Sequence, residues 1–93
     1  MPEELPVVVR QSETVLGRAA DALRGGARDR LGQRLGLGVR PTQPALVHAV
    51  AQRSVQAPAA VEALLYGSTP VDDHALVTLA HALTALEQEV LRT

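Results

Sequence analysis

Cysteine is absent from the chain, which removes disulfides, thiolate nucleophiles and thiolate metal sites together. Lysine is absent as well: all nine basic residues are arginine, so Schiff-base chemistry and a P-loop, both of which need a lysine amine, are excluded. Isoleucine, phenylalanine and tryptophan do not occur, and Tyr66 is the one aromatic residue. No apolar run approaches the ~18 residues of a membrane span and no signal-peptide pattern opens the chain, so the sequence as it stands reads as soluble.

What is present is small and aliphatic: fifteen Ala, fourteen Leu and twelve Val among 93 residues. That length makes one domain with a single modest core. Alanine-rich helices approach closely but bury little surface each, so the expected stability lies at the lower end of the usual ~5 to 15 kcal/mol. The formal net charge of −1 hides an asymmetry. Residues 10 to 40 carry seven Arg against Glu13, Asp21 and Asp29, whereas residues 54 to 93 carry five acids against Arg92.

The periodicity predicts an all-α, small four-helix domain over 12–93, with its last helix longest and an extended tail over 1–11. Pro2, Pro6 and a three-valine run disfavour helix in that tail. Ser12 or Thr14 can cap a first helix whose stripe is Leu16, Ala20, Leu23, Ala27, Leu31 and Leu35, weakened but not split at Gly25 and Gly26 and ended by Gly36 and Gly38. Along its flanks stand Arg24 with Arg28 and Arg30 with Arg34, each pair four residues apart, with stems on the core edge and guanidinium groups expected in water. Thr42 caps a second helix with Pro44 in its first turn, and Pro58 opens a short third helix ended by a left-handed Gly67. Asp72 then caps a fourth, with Val71 and Leu76 at the positions of a hydrophobic staple. Leu76, Leu79, Leu83, Leu86 and Val90 form its buried stripe, and His74, His81 and Gln88 fall on the opposite, wet side.

Little in this pattern points to catalysis. His74 and His81 are seven residues apart, about two turns or ~10 Å, too far to grip one metal ion as an i, i+4 pair would, and His48 is elsewhere. Asp72, Asp73 and His74 are adjacent, but helix starts collect acids for capping. No catalytic, cofactor or metal residue is therefore assigned. Tyr66 reads as core packing with a satisfied hydroxyl.

Residues 47–67 have the length of a helix-turn-helix, and Val50, Ala51, Ala59, Val61, Leu65 and Gly67 follow its repressor-type pattern. Two departures count against DNA. Val55 stands where that motif has glycine, and PAAVEALLY offers Glu62 but no side chain that reads bases or contacts phosphate.

The stretches LPVVVRQSET, Leu5 to Thr14, and ALLYGSTPVDDHALVTLAHALTALEQEV, Ala63 to Val90, resemble the C-terminal region of a family of actinobacterial membrane proteins of unknown function, encoded beside a MoxR-type AAA+ ATPase and its von Willebrand-like companion. Family members are Arg- and Tyr-rich where this chain has DALRGG. The resemblance implies a parent protein with an extracytoplasmic domain and membrane spans, of which this chain is the tail, on the cytoplasmic side as arginines after a span would mark. It implies further a non-catalytic adaptor whose partner is that ATPase or its companion. The residues expected to meet the partner are Arg24, Arg28, Arg30 and Arg34 as a basic rim and Val77 and Leu91 as a small apolar contact.

Overall fold

The computed structural model describes residues 14–38 and 40–92. The tail expected over 1–11, its boundary at residue 12 and Ser12 as a cap lie outside them. Four helices follow in order: α1 Val15–Arg34, α2 Gln43–Gln52, α3 Pro58–Tyr66 and α4 Asp73–Arg92. Among the described residues there is no strand.

Each helix starts where a side chain or a proline satisfies its first turn. Thr14 Oγ1 accepts from the Gly17 N–H at 3.0 Å, Thr42 Oγ1 from Ala45 at 3.3 Å and Asp72 Oδ1 from Ala75 at 2.8 Å. α3 has no side-chain cap, and Pro58 at its start removes one N–H that would need a partner. The staple expected at α4 does not form. Val71 is 86% exposed, so the Asp72 carboxylate caps α4 without it.

α1 is continuous through Gly25 and Gly26. Its end is a Schellman motif: the Gly36 N–H donates to Gln33 O at 3.2 Å and the Leu37 N–H to Gly32 O at 2.9 Å, with Gly36 at φ 69°. Gly38, at φ 91°, completes the reversal.

α1 lies along α4, and the two run parallel. Arg30 meets Glu87, and one turn further Arg34 meets the carbonyl of Leu91. Parallel neighbours need a connection that returns over their length, and α2 with α3 supplies it. The core collects Ala20, Ala27 and Leu31 from α1, Leu46, Val47 and Val50 from α2, Val61 and Leu65 from α3, and Leu79, Leu83, Leu86 and Val90 from α4. Small residues on α1 bring its axis close to α4. Leucines on α4 fill the space so left.

Candidate interaction surface

Buried along α1 are Gly17, Ala20, Arg24, Ala27 and Leu31, spaced alternately three and four residues apart, with Gly32 beside the last of them. Arg24 thus sits in the middle of the apolar seam, only 8% exposed, and not with its guanidinium in water as expected. Its donors meet the end of α3: Nε donates to Leu64 O at 2.9 Å, Nη1 to Gly67 O at 3.0 Å and Ser68 O at 2.9 Å, and Nη2 to Ala63 O at 3.4 Å. The last carbonyls of a helix have no partners within it, and a guanidinium fork from another helix satisfies them. Burial lowers the Arg24 pKa from its ordinary value, the charge of Asp21 opposes that shift, and Arg28 adds to it.

Arg28, one turn on, donates to Leu65 O at 2.7 Å and lies over the Tyr66 ring, 4.9 Å from its centroid. This stacking uses the tyrosine face as a cation site. Gly67 does not take the left-handed conformation expected of it; its φ is −76°. It must be glycine for space, because a Cβ there would stand 2.2 Å from Ala63 O.

Arg30 forms a two-pronged pair with Glu87, Nε to Oε1 at 2.6 Å and Nη2 to Oε2 at 3.0 Å. The hydrogen bond, and then the charge of Glu87, raise the Arg30 pKa. Arg34 Nη2 donates to Leu91 O at 3.3 Å. All four arginines of the expected rim therefore engage α3 or α4: Arg24 is enclosed, whereas Arg30 and Arg34 remain exposed around their bonds. Val77 and Leu91, on one outward flank of α4, are 51% and 52% exposed.

The opposite flank of α4 holds a feature that the sequence reading missed. A groove runs between α4 and α3, lined by Ala75, Thr78, Leu79, Ala82 and Ala85 on one side, by Gln56, Ala60, Ala63 and Leu64 on the other, and by Arg24, whose donors are already engaged by the carbonyls at the end of α3. One turn beyond Ala85 on α4, Glu89 lines a second depression with Arg53, Ser54, Val55 and Arg92. Val55 is 91% exposed on its rim, and Glu89 Oε1 is buried with no hydrogen-bond partner. The signal was present as Ala75, Thr78, Ala82, Ala85 and Glu89, a second three-and-four stripe beside the leucine stripe.

The outward residues of α3, Pro58, Ala59, Ala60, Glu62 and Ala63, carry no cation, and the Glu62 carboxylate accepts from Gln43 Nε2 at 2.7 Å. His48, His74 and His81 are exposed, each on its own part of the surface. Among the described residues no helix is long and apolar enough to cross a membrane.

The fold and surface define a small helical domain, closed by arginines on one side of α4 and open along an alanine-lined groove on the other. Its sequence is similar to that of the uncharacterized membrane protein Rv3691 of Mycobacterium tuberculosis, with 45% identity over 100 residues that take in 95% of this chain and 26% of the relative. The chain spans about a quarter of that membrane protein's length. No protein-family profile matches the chain, and no solved structure does.

Proposed function

We propose that this chain is a non-catalytic protein-interaction domain, the part of a longer membrane protein that docks a partner on the cytoplasmic side. The α3–α4 groove carries this reading: apolar, open and floored by alanines, it has the shape a helical partner needs. The similarity to a membrane protein about four times as long supports attachment to a span elsewhere in a longer chain. A MoxR-type AAA+ ATPase, or its companion, is the partner that the family resemblance implies.

A photocrosslinking residue placed in turn at Val77, Thr78, Ala85 and Leu91, in the cells that make the protein, tests this reading. All four side chains are exposed, two on the outward flank and two in the groove. Cross-links to the ATPase or its companion at any of them support the adaptor; no protein cross-link at all four overturns it.

A further inference from the structure

Ala75, Thr78, Ala82, Ala85 and Glu89 follow one another at steps of three, four, three and four, the spacing of a left-handed coiled-coil seam. From Ala75 to Glu89 the stripe is about 21 Å long at 1.5 Å per residue, four turns of helix. Both walls are helices whose backbone groups are already paired, so an extended strand would find no ladder to join. A helix needs none. Alanines in the floor let its axis come to about 8 Å, where leucine knobs fill the space between walls.

Resting on the interaction reading above, we propose that the groove takes one amphipathic helix of a partner protein, apolar at three-and-four spacing and bearing a lysine or arginine where it passes Glu89. The one charged residue of the seam dictates the polarity. Glu89 Oε1 is buried and lacks a donor, and Glu89 lines the depression at that end. A cationic donor forms there a bond about twice as strong as a neutral one. Arg53 and Arg92 border the same end, but both are exposed on long flexible stems, so their repulsion is screened by water. Charge also argues against a second copy of this chain. Parallel self-pairing sets Glu89 against Glu89, and antiparallel self-pairing sets it against Ala75, so neither supplies a donor.

Two designed 16-residue helical peptides test the proposal, alike in a leucine stripe at that spacing and differing only in a terminal Lys or Glu on the stripe. Titrated into the 93-residue chain at moderate salt, the Lys peptide binds about tenfold tighter than the Glu peptide. In Glu89→Gln that preference falls to near onefold. Ala85→Trp, at an exposed position, abolishes binding of both while its thermal unfolding stays that of the parent. Absence of binding, preference for the Glu peptide, preference unchanged in Glu89→Gln, or a peptide-free dimer by sedimentation would each overturn it. Cross-links at Val77 or Leu91 alone would retain the interaction domain and remove the groove from it.

Discussion

Arg24 and Gly67, 43 residues apart, are cut to fit each other. Arg24 Nη1 donates to the Gly67 carbonyl at 3.0 Å, and the missing Gly67 side chain leaves the room: a Cβ there would lie 3.2 Å from Nη2 as well as against Ala63 O. The end of α3 is thus shaped by a side chain from α1. A helix of nine residues would be marginal alone, and this contact fastens its open end.

Replacing Arg24 by Ala strands the carbonyls of Ala63 and Leu64 in a partly buried setting, and the expected loss in urea unfolding is about 2–4 kcal/mol. Arg24→Lys recovers only part, because an ammonium lacks the fork that reaches four oxygens. Arg28→Ala, which removes one carbonyl bond and one ring contact, costs about 1 kcal/mol. A loss at Arg24 no larger than at Arg28 would contradict the capping role.

Gly67→Ala should cost at least ~2 kcal/mol through steric displacement of the backbone and of Arg24 together. Since both changes break the same contact, the double variant Arg24→Ala, Gly67→Ala is expected to be less destabilised than the sum of the singles. Strict additivity in unfolding experiments would mean that the two residues act independently.

Gly25→Ala is expected to stabilise the protein by about 0.5–1 kcal/mol, seen as a rise of a few degrees in Tm. The position is helical, and its added Cβ meets nothing nearer than Arg28 Nη2 at 3.9 Å. A fall in Tm would show that the glycine serves packing.

Asp72→Ala removes the α4 cap and should cost about 1 kcal/mol, whereas Val71→Ser should leave stability within about 0.5 kcal/mol. Equal losses at both positions would restore the staple that the structure does not show.

The Arg30–Glu87 pair is expected to contribute less than about 1 kcal/mol in a double-mutant cycle, falling further with salt, since its arginine side is 64% exposed. A coupling above 2 kcal/mol would mark it as a main support of the α1–α4 packing.

The helices, their caps and the α4 core were legible because periodicity and capping are local. Thr14, Thr42 and Asp72 are each named by the residues within one turn of them. Arg24 was not legible in the same way. It falls four residues after Ala20 and three before Ala27, on the seam itself, yet an arginine there reads as a long stem leading outward until the orphan carbonyls of α3 are seen beside it. Gly67 misled for a related reason: its identity suggests a left-handed turn, and only the nearness of Ala63 O shows that it answers to volume. The groove was hidden because alanines on a helix read equally well as filler or as floor, and the choice depends on where α3 lies.

The parallel course of α1 and α4 has a mechanical consequence. The start of α1 and the finish of α4 lie at opposite extremities of the pair, so tension applied between them slides one helix lengthwise along the other and loads every contact from Ala20 to Val90 at once. Antiparallel helices joined at one extremity would instead peel apart contact by contact. Under such a load the domain would hold until the whole seam gave way together.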